Sequence, residues 1–123
     1  MGLIVLVVDD ETEVTDFLRL ELEDRGFEVR TENSGYTALQ HVMRNEVDIL
    51  LTDIAMPDMD GFELYRRSLE LDETLPIIMM TGFGYDPNHT VVKARQEGLQ
   101  HILYKPFETD DLASLIERLT RGE

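Results

Sequence analysis

The sequence lacks cysteine entirely and is poor in basic residues. Without cysteine it can form no disulfide framework, thiolate metal site or dithiol redox motif, which fits a reducing compartment. The chain has 11 lysines and arginines against 26 aspartates and glutamates, so its formal net charge is -15. A surface of that charge repels nucleic acid phosphates and anionic lipids. We therefore expect no direct binding of nucleic acid or membrane through this domain.

Long apolar runs are also missing. The first run, residues 3–8, is too short for a membrane span or for the apolar core of a signal peptide, and no lysine or arginine precedes Arg19. With 123 residues, of which 42% are hydrophobic, we expect one domain, residues 1–123, with a single core. These features predict a cytoplasmic protein.

Two periodicities alternate along the chain. Runs typical of β-strands occur at residues 3–8, 27–31, 49–51, 76–80 and 101–104. Apolar residues at helical spacing predict helices at residues 13–25, 35 to near 45, 62 to about 72, roughly 87–97, and 112–119. Gly26 is placed to end the first helix, and Thr109 or Asp110 can cap the last. The fourth helix has few and small apolar residues, so we expect it to be the least firmly packed.

This alternation favours an α/β fold with a parallel sheet and right-handed crossovers. The pattern at residues 27–31 indicates a strand with one covered face, as at the edge of a sheet. We predict a single flavodoxin-like, doubly wound (βα)5 domain whose parallel five-stranded sheet has the order 2-1-3-4-5. In that order the first and third strands flank the crevice where such sheets bind ligands.

Polar residues stand where the strands end. Asp9 and Asp10 follow the first strand, Asp53 the third, Thr81 the fourth and Lys105 the fifth. Because parallel strands present their carboxyl ends at one edge of the sheet, we expect these side chains to share one crevice. Three carboxylates would repel one another and require a cation. Oxygen ligands without histidine or cysteine favour a hard ion, and a few carboxylates plus water suit Mg2+.

A crevice of this composition is similar to half of a phosphoryl-transfer centre. Mg2+ would neutralise the oxygens of a phosphoryl group, and Lys105 would balance a further charge. The Thr81 hydroxyl would donate a hydrogen bond, and a carboxylate could attack as the nucleophile.

Several motifs together resemble those of one family. They are Asp9-Asp10, then Asp53 with Met56-Pro57-Asp58-Met59-Asp60-Gly61 behind it, then Thr81, and finally Lys105-Pro106-Phe107. In this order and on these elements, the sequence resembles a response regulator receiver domain of two-component signalling over nearly its whole length. The likeness is to the receivers typified by chemotaxis regulators.

The resemblance implies a role for each matching residue. Asp53 would be the phosphoacceptor, receiving its phosphoryl group from a phosphohistidine on a sensor histidine kinase or phosphotransfer protein. Asp10, Asp53 and the Ala55 carbonyl would bind Mg2+ directly, with Asp9 acting mainly through water. Lys105 and Thr81 would contact the phosphoryl oxygens.

The resemblance also implies a switch. Tyr104 matches the aromatic position that turns inward after phosphorylation, together with Thr81. The change alters the surface of the fourth helix, fifth strand and fifth helix, and so controls an output domain, a partner or a receiver dimer. Such a domain is not an enzyme for outside substrates; it promotes only its own phosphorylation and dephosphorylation.

One residue departs from the commonest family pattern, and two others occupy positions that affect the rate of dephosphorylation in the family. Gly82 follows Thr81 where a residue with a Cβ is more usual, so this loop should be unusually free. Ala55 and Phe83 occupy the two positions that set the dephosphorylation rate in the family. Neither can orient an attacking water by hydrogen bonding, and we therefore predict slow hydrolysis of the aspartyl phosphate.

Two alternatives from other classes stay open at this point. A Mg2+-dependent phosphatase would usually carry a second acidic residue two positions after its nucleophile, where this chain has Ala55. A receiver-like interaction module would bind partners without phosphorylation, through its acidic surface and fourth helix. A flavin-binding protein of the same fold is disfavoured, because its first loop would need hydroxyls and amides where this chain has Asp9, Asp10 and Glu11.

Overall fold

The computed structural model describes residues 2–82, 92, 96, 98–99 and 101–122. The strands are β1 (Ile4–Val8), β2 (Glu28–Glu32), β3 (Ile49–Asp53), β4 (Ile77–Thr81) and β5 (Ile102–Tyr104). The helices within the described ranges are α1 (Thr12–Asp24), α2 (Gly35–Met43), α3 (Gly61–Leu71) and α4 (Thr109–Thr120). The helix predicted at residues 87–97 falls mainly outside the described residues.

All strands are parallel and form one sheet with the order β2-β1-β3-β4-β5. The predicted fold class and strand order are therefore confirmed, and β2 lies at an edge as its alternating pattern indicated. No helix within the described ranges is both long enough and apolar enough to cross a membrane.

The sheet separates two apolar layers. Alternate residues of a strand point to opposite faces, so neighbouring positions of the buried strands enter different layers. The layer on the α2 and α3 side contains Leu6, Val8, Leu50, Met79, Ala38, Val42 and Leu64. The layer on the α1 and α4 side contains Val5, Val7, Leu51, Met80, Leu22, Leu112 and Ile116. Apolar layers cover both faces of the sheet. The polar residues that could bind a ligand lie at the ends of its strands.

Helix ends mostly follow the sequence signals, with one exception. Gly26 has a φ of 93°, the left-handed conformation expected of a glycine that ends α1. The predicted cap of the last helix is wrong: Glu108 is the N-cap of α4, and its side chain makes no capping hydrogen bond. Neither Thr109 nor Asp110 caps the helix, because both lie within its first turn. The Asp110 carboxylate instead accepts a hydrogen bond of 2.7 Å from the guanidinium of Arg25.

Candidate functional site

Strand register brings the acidic residues together. Val8 of β1 lies beside Thr52 of β3, so the next residues, Asp9 and Asp53, extend from the same edge of the sheet. Asp10 follows on the β1–α1 loop, and one carboxylate oxygen from each of the three residues lies within 4.8 Å of the others. We call this cluster of Asp9, Asp10 and Asp53 the acidic crevice. The predicted convergence of the three aspartates is thus found in the structure.

Lys105 brings a positively charged side chain into the crevice. Its Nζ donates to Asp9 Oδ2 at 2.9 Å and to Asp53 Oδ1 at 3.5 Å. The lysine is placed there by its backbone, because its N–H donates to the Thr81 carbonyl at 2.7 Å. Sequence reasoning predicted Lys105 at this edge but not its pairing with Asp9, which is the shorter of the two contacts.

Asp9 and Asp10 differ in their surroundings. Asp9 is buried, and besides Lys105 it accepts a hydrogen bond of 2.9 Å from the Glu11 backbone N–H. Both of its oxygens are therefore engaged at the start of α1. Asp10 is exposed and can share a cation with solvent water.

The charge of Asp53 is unfavourable in this arrangement. Its side chain is buried, and burial together with the neighbouring charge of Asp9 raises the pKa of Asp53 to about 6, against the opposing effect of Lys105. Burial lowers the pKa of Lys105, but its contacts with Asp9 and Asp53 outweigh burial and leave that pKa raised. The crevice holds an excess of negative charge that one lysine does not neutralise.

The donor set fits a hard divalent cation. Three carboxylates, two from the β1–α1 loop and one from the last residue of β3, supply oxygen ligands only. Exposed Asp10 leaves room for the waters that Mg2+ usually retains. Asp53 and Asp10 would hold such an ion directly, while the two bonds already made by Asp9 favour contact through water. The predicted Ala55 carbonyl ligand lies on the same β3–α3 loop, and its role stays a prediction.

The β3–α3 loop is held close to the end of β3. The Gly61 N–H donates to the Ile54 carbonyl at 2.8 Å, closing the loop on itself. A Cβ at Gly61 would overlap the Asp53 carbonyl oxygen and lie 2.9 Å from the Ile54 Cα. Met56 and Met59 anchor the loop through their buried side chains. No larger residue fits at Gly61 unless the backbone moves.

Thr81 and Tyr104 occupy neighbouring strand ends. Thr81 is buried, and its hydroxyl oxygen has no hydrogen-bond partner within the part of the chain that the structure describes. Tyr104 lies beside it in the β4–β5 register, with its side chain exposed. Their predicted roles in switching stay predictions, and Phe83 lies outside the described residues.

Sequence reasoning missed two residues around the crevice. Asn33 donates from its side-chain amide to the Asp9 backbone carbonyl at 2.8 Å. The Ser34 hydroxyl donates to the Asp58 carboxylate, and this bond lowers the pKa of Asp58. Ser34 is also the N-cap of α2. The available signal was its position after β2, at the same sheet edge as the aspartates.

Comparisons with known proteins agree on one family. The family model described as "Response regulator receiver domain" matches residues 5–117. A response regulator receiver protein, CpdR of Brucella abortus, is 35% identical over 115 residues, which cover 94% of each chain. The C4-dicarboxylate transport transcriptional regulatory protein DctD of Rhizobium meliloti is 36% identical over 114 residues. That match covers 93% of this chain but 24% of DctD.

A solved structure shows the same architecture. The receiver domain protein of Clostridium thermocellum superimposes with a TM-score of 0.89 at 28% identity, covering 98% of this chain and 95% of the other. The parallel sheet and its flanking helices thus form a known type of domain.

Proposed function

Because this chain belongs to the family of response regulator receiver domains, we propose that it is a phosphorylation-controlled switch in which Asp53 accepts the phosphoryl group. One observation carries the proposal: Asp9, Asp10 and Asp53 meet Lys105 at the carboxyl edge of the sheet. This set provides a nucleophile, a cation site and a fixed positive charge within one crevice.

In the proposed reaction, an Asp53 carboxylate oxygen attacks the phosphorus of a phosphohistidine on the donor. The new P–O bond forms as the P–N bond breaks, and the departing imidazole takes up a proton. Lys105 balances charge on the phosphoryl oxygens, and the Thr81 hydroxyl donates a hydrogen bond to one of them. Mg2+ held by Asp10, Asp53 and the Ala55 carbonyl, with Asp9 acting through water, would neutralise the remaining phosphoryl charge.

The proposed partners follow from this reaction. The donor is a sensor histidine kinase or a phosphotransfer protein, and the recipient of the signal is an output domain, a separate partner or a second receiver. The signal passes through the surface that includes Tyr104, a residue that is 42% exposed here and that turns inward in the proposed switch. The domain turns over no external substrate, and its proposed location is the cytoplasm, where ATP supplies histidine kinases.

Phosphorylation of Asp53 is the first expected result. Incubation with Mg2+ and acetyl phosphate should add one phosphoryl group to the native protein and none to Asp53→Asn, as read by intact mass. Asp48→Asn is the matched control, because Asp48 lies at the opposite end of β3 and its accepted hydrogen bond from the Ile4 N–H can be kept by an amide. If the native protein gains no mass with acetyl phosphate or with phosphohistidine donors, an interaction module independent of phosphorylation replaces this proposal.

Ala55→Asn should shorten the lifetime of the phosphorylated state several-fold. Ala55 is exposed on the β3–α3 loop, so a larger side chain has space there. The asparagine amide can hydrogen-bond the water that attacks phosphorus, whereas alanine cannot. Phosphate loss is followed by mass after removal of the donor, with Ala55→Val as the control that adds bulk without a hydrogen-bonding group. Equal rates for native protein and Ala55→Asn would contradict the predicted cause of slow hydrolysis.

A further inference from the structure

One short segment contacts both loops that carry the acidic crevice. We call residues 33–35, the last of which is the first residue of α2, the β2–α2 turn. The Asn33 side-chain amide donates to the Asp9 carbonyl at 2.8 Å and lies 3.4 Å from the Thr15 hydroxyl, so it reaches the β1–α1 loop and α1. These contacts fix the backbone from which Asp9 and Asp10 extend.

The next two residues of the turn hold the other loop. The Ser34 hydroxyl donates to one oxygen of Asp58, and the Met59 N–H donates to the other at 2.8 Å. Gly35 packs so closely on Met59 that a Cβ there would lie 2.9 Å from the methionine Sδ and Cβ. Met59 is fully buried, so this contact is part of the core beneath the β3–α3 loop.

The loops that follow β1 and β3 are supported only in part by strand pairing. The β1–β3 ladder pairs residues as far as Val8 and Thr52, and Asp53, the last residue of β3, pairs with Met80 of β4. The Asp9 N–H donates to the Glu32 carbonyl at 3.2 Å, so strand pairing supports Asp9 and Asp53 but not Asp10 or the β3–α3 loop. Asp9, Asp10 and Asp53 repel one another at a separation within 4.8 Å, and Lys105 supplies a single opposing charge. Before a cation binds, repulsion therefore favours separation of the loops. The β2–α2 turn contacts both loops, through the bonds of Asn33 to Asp9 and of Ser34 to Asp58.

We propose that the β2–α2 turn is a positioning element of the cation site, which keeps the two acidic loops at binding distance in the absence of the cation. Asn33 holds one loop, and Ser34, through Asp58, holds the other. Neither residue touches the ion or the phosphoryl group. The inference rests on the proposed function in that the cation is Mg2+, and it adds residues that family membership does not assign. Affinity gained in this way comes from preorganisation rather than from further ligands.

The test is a Mg2+ titration of the folded, donor-free protein, followed by backbone amide NMR shifts. Asn33→Ala and Ser34→Ala should each weaken Mg2+ binding by about 10-fold, as loss of supporting contacts commonly does at metal sites. Ser34→Thr keeps the hydroxyl and should restore affinity. Thr120→Ala is the matched control: it loses a hydroxyl bond of 2.8 Å to the Ile116 carbonyl, far along α4 from the crevice, and should bind Mg2+ as the native protein does.

A second pair of variants separates position from charge. Asp58→Asn removes the charge and the bond from the Met59 N–H but keeps one oxygen that can accept from the Ser34 hydroxyl, so it should retain part of the Mg2+ affinity that Asp58→Ala loses. Hydrogen exchange without metal gives an independent measurement. The Gly61 amide, which bonds to Ile54, should exchange faster in Ser34→Ala than in Thr120→Ala.

The outcomes distinguish this inference from the proposed function. Native Mg2+ affinity in folded Asn33→Ala and Ser34→Ala would overturn the inference even if Asp53 is phosphorylated normally. Equal losses in Asp58→Asn and Asp58→Ala would also overturn it, because the hydrogen bond from Ser34 would then contribute nothing to the affinity. Weakened Mg2+ binding in the variants of a protein that never accepts phosphate would support the turn's role and reject the proposed function.

Discussion

Asp53→Asn should be more stable than the native protein by about 2 kcal/mol near neutral pH when divalent cations are removed. The buried Asp53 carboxylate has a pKa raised to about 6, because folding buries its charge and places it beside Asp9. An asparagine keeps nearly the same shape and carries no charge. The free energy of unfolding, obtained from urea denaturation in the presence of a chelator, is the quantity to compare.

The pH dependence of this difference has a definite sign. An unfolded aspartate has a pKa of about 4, so the folded state binds the Asp53 proton more tightly than the unfolded state does. Protonated Asp53 is therefore favourable, and this stabilisation of the native protein is lost as the pH rises through about 6. The advantage of Asp53→Asn should be full above about pH 7 and absent below about pH 4.

Two control measurements test whether the charge of Asp53 causes the difference in stability. Saturating Mg2+ should reduce the advantage of Asp53→Asn, because the cation stabilises the ionised carboxylate in the native protein. Asp48→Asn should show no comparable gain, since Asp48 lies outside the acidic crevice. A stability difference that stays constant from about pH 4 to about pH 8 would exclude the charge of Asp53 as its cause.

Gly61→Ala should cost about 3 kcal/mol of stability and impair the acidic crevice at the same time. An added Cβ overlaps the Asp53 carbonyl and approaches the Ile54 Cα, and both are backbone atoms that cannot rotate away. The loop must move, and Asp53 moves with it. The midpoint temperature of thermal unfolding and the affinity for Mg2+ should therefore both decrease.

Gly82→Ala is the comparison for that loss. Among the residues that the structure describes, a Cβ at Gly82 would meet only the Lys105 Cδ at 3.6 Å, which is an ordinary packing distance. Its unfolding free energy should stay within about 0.5 kcal/mol of the native value, as for most exposed substitutions. Similar stability of the two alanine variants would show that the β3–α3 loop tolerates bulk and would contradict the predicted clash.

Patterns within single segments determined most of what could be predicted. Continuous apolar runs such as residues 3–8 indicate strands covered on both faces, and their alternation with amphipathic helices leads to a parallel sheet. Once the strand order is known, the aspartates that follow β1 and β3 must meet. The fold class, the order of strands and the convergence of the acidic residues were for this reason accessible from sequence.

Side-chain partners that lie far apart in the chain were not accessible. Asp110 was predicted as a cap because its residue type suits one, but it pairs with Arg25 across the gap between α1 and α4. Asn33 and Ser34 looked like ordinary residues before a helix, and their contacts depend on how two other loops pack beside them. Hydrogen bonds of this kind depend on the relative placement of whole elements, which local periodicity does not specify.

The contact between Lys105 and Asp9 joins residues 96 positions apart, and this separation bears on how the protein matures during synthesis. The three aspartates leave the ribosome well before Lys105, so an incomplete chain would assemble them without their counter-charge. Parallel pairing of β5 with β4 must precede that contact, and distant pairings of this kind form late and slowly. We therefore expect a chain truncated before β5 to present the three aspartates without the charge of Lys105.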